Sequence, residues 1–186
     1  TGDAAIAHIS DDRLFIAFPK DDPRDPPASI KPEMIDQGRL LLLEEGHLPF
    51  EMDPRTLESH GAWNFYGKLN TTMSAHPKVD PVTGELLFHA YMATGPFSDD
   101  MGLYRVNKQG HMIQSHVFKA PYAAMVHAFA VTANYIVFPV MPITMRLERA
   151  MSGKPPVAWE PSLGTKVGVM PRNGTPAQIT WFDGDA

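Results

Sequence analysis

The sequence predicts an all-β protein, and three observations support this fold class. The chain holds 18 prolines and 14 glycines among 186 residues, spread along its length instead of gathered in one linker. Proline and glycine interrupt helices and long strands, so this frequency favours short strands joined by turns. Strand–turn–strand units recur along most of the chain, and a single short stretch has a helical pattern. This rhythm is typical of a sandwich, a barrel or a propeller.

The individual elements are predicted from apolar runs and turn residues. The apolar run at residues 40–43, closed by Glu44, Glu45 and Gly46, predicts a short buried strand. Residues 50–52 precede a turn at 53–56, where proline takes its favoured second position. Four hairpins follow, with strands at residues 78–79 and 85–92, 103–106 and 111–118, 125–131 and 135–140, and 166–170 and 178–182. Residues 143–151 are expected to form a short helix or a loop on the sheet scaffold, and residues 20–27 a surface loop within a weakly patterned N-terminal part, 1–37.

Composition excludes several classes of function. The formal net charge is −5 and there is no basic cluster, which argues against nucleic acid as a partner. Cysteine is absent, so disulfides and thiolate chemistry are excluded, and any metal must take histidine or carboxylate ligands. No apolar run approaches the roughly 20 residues of a membrane span, and no signal peptide is visible, so a cytoplasmic location is expected. Because the chain does not begin with methionine, we expect residues 1–186 to be one incomplete domain of a longer protein.

Two of the eight histidines stand apart from the rest. His76 and His127 each lie among small or apolar neighbours in a β-patterned segment that a hairpin turn follows. An imidazole buried there needs a partner, which is either a metal or a strong hydrogen bond. Spacing alone leaves both alternatives open, because no short histidine pair motif is present. The other six lie in turns, on a hairpin strand that faces solvent, or outside any motif: His8, His47, His60, His89, His111 and His116.

The surroundings of these histidines resemble a known family. The segments that carry the resemblance are GRLLLLEEG (38–46), LPFEMDPRTLE (48–58), SAHPKVDPVTGEL (74–86), MVHAFAVTANYIVFP (125–139) and GVMPR (168–172). In this order they resemble the carotenoid cleavage oxygenases, which include lignostilbene dioxygenases and the visual-cycle retinoid isomerase.

The resemblance implies a fold and a metal site. Members are seven-bladed β-propellers with a ferrous iron on the propeller axis, held by four histidines. The first two ligands match His76 and His127, and Glu45 matches a glutamate that hydrogen-bonds the far nitrogen of a ligand imidazole. The chain would then supply several consecutive antiparallel meander blades, and the third and fourth histidines are expected beyond Ala186.

The resemblance also implies a reaction. It is the oxidative cleavage of a C=C double bond in a carotenoid, apocarotenoid or stilbene-like substrate by a non-haem Fe(II) dioxygenase, which consumes O2 and yields two carbonyl products. Glu44 stands where the lignostilbene branch has a lysine that contacts the substrate phenol, and this favours carotenoid substrates. The alternative is a non-catalytic propeller-like binding or scaffold module, or an inactive truncated fragment, since two of four ligands are present. A hydrolase is not supported, because Ser74 lies in no G-x-S-x-G motif.

Overall fold

The computed structural model describes residues 5–8, 16–17, 40–53 and 56–184, and for residues 5–8 and 16–17 it describes the backbone alone. The predicted loop at residues 20–27, most of the N-terminal part and the middle of the turn at 53–56 lie outside the described residues. Within the described ranges, no helix has the length and apolar character needed to cross a membrane.

The described residues form fifteen strands in four antiparallel sheets. The first sheet has the order β2-β1-β3-β4-β5, with strands β1 (Ala5–His8), β2 (Ile16–Ala17), β3 (Leu40–Leu43), β4 (Phe50–Met52) and β5 (Ser59–Ala62). The second is a meander of β6 (Lys78–Val79), β7 (Leu86–Tyr91), β8 (Asp100–Val106) and β9 (Met112–Lys119). The third has the order β10-β11-β14-β15, with β10 (Ala130–Val131), β11 (Tyr135–Val140), β14 (Thr165–Pro171) and β15 (Thr180–Gly184). The hairpin of β12 (Ile143–Met145) and β13 (Val157–Trp159) is the fourth.

One compact unit comprises Thr1–Phe88 and Tyr104–Gln114. Its core contains a column of three aromatic rings, in which Phe88 stacks on Phe65 at 5.5 Å and on Tyr104 at 4.9 Å between ring centroids. All three are at most 2% exposed, and burying each such side chain is worth about 1.5–3 kcal/mol. The leucines of β3 are also largely buried, and this strand ends at Leu43, so the turn that carries Glu44 and Glu45 begins at the edge of a rigid core.

A second compact unit comprises His89–Leu103 and Ser115–Ala186. Strand β11 pairs with β14 along six residues, from Tyr135↔Pro171 to Val140↔Lys166. Phe138 of β11 is fully buried and contacts the rings of Phe118 at 5.4 Å and Phe129 at 6.0 Å. This aromatic core fixes the outer strands against the segment that leads into β10.

Residues 143–151 differ in part from the expected short helix or loop. Ile143–Met145 is the strand β12, and the chain then turns into the helix α1 (Leu147–Met151). The strand forms because Val157–Trp159 pairs with it in antiparallel register, from Ile143↔Trp159 to Met145↔Val157. No local sequence pattern predicts this partner strand, which follows the helix in the sequence.

A polar network joins this hairpin to α1. Glu160 Oε2 accepts hydrogen bonds from the hydroxyl of the buried Thr144 at 2.5 Å and from Arg146 Nε at 2.9 Å. Arg149 Nη2 lies 3.1 Å from the same oxygen, while its Nη1 donates to the carbonyl of Pro156 at 2.9 Å. The Thr144 hydroxyl and then the two guanidinium groups lower the pKa of Glu160 from 4.5 to about 2. The ionised carboxylate therefore stabilises the fold of the hairpin.

We expect Glu160→Gln to lower stability in a pH-dependent way. Because the pKa is depressed in the folded state, the stabilisation is present above the ordinary value of 4.5 and is lost as the pH falls towards about 2. The urea midpoints of wild type and variant should therefore differ at neutral pH and converge in that acidic window. Glu148→Gln makes the same change at an exposed position of α1 and should leave the midpoint unchanged throughout. If the urea midpoint of Glu160→Gln stays below that of wild type by the same amount down to pH values near 2, the charge of Glu160 does not stabilise the fold.

Candidate metal centre

His76 lies immediately before the second sheet. Its neighbours Ser74, Ala75 and Pro77 are buried, whereas the imidazole itself is partly exposed. The sequence predicted His76 inside a strand, but β6 begins two residues later, at Lys78. Proline has no N–H to donate to a ladder, so Pro77 keeps His76 out of the strand and at its entrance. The Lys78 ammonium donates to the carbonyl of His76 at 3.1 Å, which helps to fix this entrance.

Glu45 binds the segment that carries His76. The backbone N–H of Ala75 donates to Glu45 Oε1 at 3.0 Å, and the other oxygen, Oε2, is buried. The turn is fixed a second time where the Met73 N–H donates to the carbonyl of His47 at 3.1 Å. Two hydrogen bonds thus hold the turn after β3 against residues 73–75, and one of them uses the carboxylate itself.

His127 lies on an extended segment between two pairing partners. Just before it, Ala124 bridges to Thr144 and the Met125 N–H donates to the carbonyl of Ile143 at 2.9 Å. Just after it, β10 begins at Ala130 and pairs with β11. The predicted strand at 125–131 is therefore shorter than expected, because the chain leaves one partner before it joins the next. His127 falls in this gap, with its side chain exposed.

The structure brings together the two histidines that the family resemblance implied as iron ligands and the glutamate that it implied as their hydrogen-bonding partner. Glu45, His76 and His127 each offer one ligand atom, and these atoms all lie within 4.8 Å of one another. Imidazole nitrogens suit divalent transition metals, iron(II) among them, and a nearby carboxylate can fix the orientation of such ligands. The grouping is thus a candidate metal site whose donors fit iron, while the identity of the metal does not follow from the donors alone.

Glu44 and the histidines that were predicted to lie at the surface are not members of this grouping. The Glu44 carboxylate is exposed and accepts a hydrogen bond from His47 Nδ1 at 2.8 Å. His60 and His111 are also exposed, and His60 Nδ1 lies 3.9 Å from a carboxylate oxygen of Glu51. These placements agree with the expectation that most histidines here are solvent-facing or hydrogen-bonded.

Sequence reasoning missed His89. It lies in β7 within the run LLFHAY, is fully buried, and its Nε2 lies 2.7 Å from the carbonyl oxygen of Val126. A signal was present, because an imidazole inside a continuous apolar strand needs a polar partner. The partner lies 37 residues further along the chain, where no local motif points to it.

Comparisons with known proteins agree with these observations. A family model described as RPE65, retinal pigment epithelial membrane protein, matches residues 33–186. Isoeugenol monooxygenase of Pseudomonas nitroreducens is 43% identical over 150 residues, covering 80% of this chain and 31% of that protein. Resveratrol cleavage oxygenase 1 of Chaetomium globosum is 41% identical over 154 residues, covering 80% of this chain and 26% of that protein.

A solved structure is similar over the same region. The crystal structure of Pseudomonas brassicacearum lignostilbene dioxygenase has a TM-score of 0.75 and 44% sequence identity, covering 78% of this chain and 31% of that one. The chain thus spans about a third of the length of the relatives it matches. The expected family and the all-β fold class are both confirmed. The chain belongs to the RPE65 family of carotenoid oxygenases, and its antiparallel meanders are part of a β-propeller.

Proposed function

We propose that this chain is part of an iron(II)-dependent dioxygenase that cleaves a C=C double bond in an apolar conjugated substrate. The observation that carries the proposal is the grouping of Glu45, His76 and His127, the same residues that the family resemblance selects. Each carbon of the double bond becomes a carbonyl carbon, and the two oxygen atoms of O2 are divided between the products. The reaction consumes no further oxidant.

His76 and His127 hold the iron through imidazole nitrogens in this proposal. Glu45 orients them, because its carboxylate accepts a hydrogen bond from the peptide N–H of Ala75, next to His76, and has an oxygen within 4.8 Å of a ring nitrogen of each histidine. When bound, iron(II) supplies the binding and activation of O2. The rigid core behind β3 and the Pro77 entrance to β6 restrict movement of Glu45 and His76, which preorganises the donors.

Two observations bear on the class of substrate. Glu44 favours a carotenoid over a 4-hydroxystilbene, because a carboxylate cannot supply a cation to a phenolate. The relatives that are 41–44% identical are instead named for isoeugenol, resveratrol and lignostilbene, which are phenolic aryl alkenes. We place aryl alkenes first and carotenoids second, because the named relatives resemble the chain over most of its length.

The proposal is tested with the protein expressed at its full coding length. Iron per chain is measured after anaerobic purification, and isoeugenol, resveratrol and an apocarotenal are offered in the presence of ¹⁸O₂. We expect bound iron, cleavage of at least one substrate, and loss of cleavage after chelation that added iron(II) reverses. Iron binding without cleavage of any of the three would favour a non-catalytic module. Cleavage that survives complete removal of the metal would overturn the metal assignment.

A further inference from the structure

His89 contacts both ends of the segment that carries His127. Its Nε2 lies 2.7 Å from the carbonyl oxygen of Val126, and its ring lies 4.8 Å from that of Phe129 at an interplanar angle of 55°. Val126 and Phe129 are both buried. The residues before and after His127 are therefore anchored to one side chain of β7, although the His127 side chain itself is exposed.

The hydrogen bond has a fixed direction. A carbonyl oxygen only accepts, so the proton of the bond resides on His89 Nε2 and the imidazole donates. His89 is fully buried, and the loss of this bond would leave a desolvated polar group on both sides. The bond therefore holds the orientation of the peptide group between Val126 and His127 firmly.

This anchor lies between two stretches of backbone pairing, one on each side of His127. The Met125 N–H is held by the carbonyl of Ile143, and the next ladder begins at Ala130. Residues 126–129 lie between these two supports. The buried imidazole of His89 supports this segment, because it hydrogen-bonds the carbonyl of Val126 at one end and packs against the ring of Phe129 at the other.

We propose that His89 is a positioning residue, which sets the orientation of the His127 peptide and thereby tunes metal affinity. The proposal rests on the assignment of His127 as a ligand in the proposed function. His89 touches neither substrate nor metal in this role and acts through the backbone of Val126. Outer groups that orient metal ligands influence affinity by about 10- to 100-fold. Because His89 acts through a single peptide unit, we expect its loss to lower metal affinity by an amount at the lower end of this range.

Two substitutions separate the hydrogen bond from the volume of the side chain. His89→Gln keeps an N–H donor close to the position of Nε2, whereas His89→Leu keeps an apolar volume and removes the donor. The probe is cobalt(II) alone, titrated into the metal-free protein of full coding length and followed by its visible ligand-field spectrum. His89→Leu should weaken cobalt binding about 10-fold and alter the spectrum, while His89→Gln should restore both to near wild type.

A matched control distinguishes positioning from general loss of stability. Phe138→Leu disturbs the same core through its 6.0 Å contact with Phe129 but leaves the donor of His89 in place. It should lower the melting temperature and leave the cobalt affinity and spectrum unchanged. If Phe138→Leu weakens cobalt binding as much as His89→Leu does, the role of His89 is merely structural and the proposal is overturned.

The remaining outcomes are also decisive. Cobalt binding by His89→Leu at wild-type strength overturns the positioning role and leaves the proposed function intact. Failure of the wild-type protein to bind cobalt removes the proposed function itself, and this inference falls with it. If His89→Leu does not fold, His89→Met also lacks the donor and adapts more easily to the core, and it is judged by the same criteria.

Discussion

Replacing either His76 or His127 by alanine is expected to abolish iron binding and double-bond cleavage in the protein of full coding length. Each substitution removes one imidazole from a set whose ligand atoms lie within 4.8 Å of one another. Loss of a group that only orients a metal ligand can lower metal affinity by about 100-fold. Loss of the ligand itself should lower it further. Iron content and product formation under O2 are the measurements.

The fold should survive both substitutions. His76 is partly exposed and His127 exposed, so truncation leaves little cavity, and each should change the free energy of unfolding by no more than about 1 kcal/mol. His60→Ala is the matched control, because it removes an exposed imidazole that lies outside the grouping. It should retain wild-type iron content and activity. An alanine variant at position 76 or 127 that cleaves substrate at the wild-type rate would show that the metal is held elsewhere.

The sequence predicted best the elements whose signals are local. The leucine run of β3 between charged and glycine residues was found with its ends correct, at 40 and 43. Strand β14 was found to within one residue at each end, because a turn with proline and glycine follows it closely. These elements depend on burial and turn chemistry that a short window of sequence contains.

The errors lie where pairing between distant segments decides the structure. The predicted strand at 125–131 is interrupted because it has two partners, one at Ile143–Met145 and one in β11. Ile143–Met145 is a strand instead of the start of a helix because Val157–Trp159 pairs with it. The grouping of Glu45, His76 and His127 was predicted from family resemblance, since their spacing of 31 and 51 residues identifies no site by itself. His89 was missed for the same reason, as its partner is distant in sequence.

Removal of the Glu45 carboxylate is expected to weaken iron binding about 10- to 100-fold, the range typical of groups that orient metal ligands. Glu45 accepts the Ala75 N–H at 3.0 Å and lies within 4.8 Å of the imidazole donors of His76 and His127. Glu45→Ala removes both its charge and its hydrogen bond. Glu45→Gln keeps an oxygen for the Ala75 N–H and removes only the charge.

The comparison of these two variants separates the functions of the carboxylate. If the charge acts on the metal or its imidazoles, Glu45→Gln should lose most of the iron affinity and keep nearly all of the stability. If Glu45 mainly holds the backbone at Ala75, Glu45→Gln should bind iron like wild type and only Glu45→Ala should be impaired. Glu44→Gln is the control for iron affinity, because it makes the same change one residue away on an exposed carboxylate that pairs with His47. Equal iron affinity in wild type and Glu45→Ala would contradict both roles, since neither the charge nor the hydrogen bond would then matter to the site.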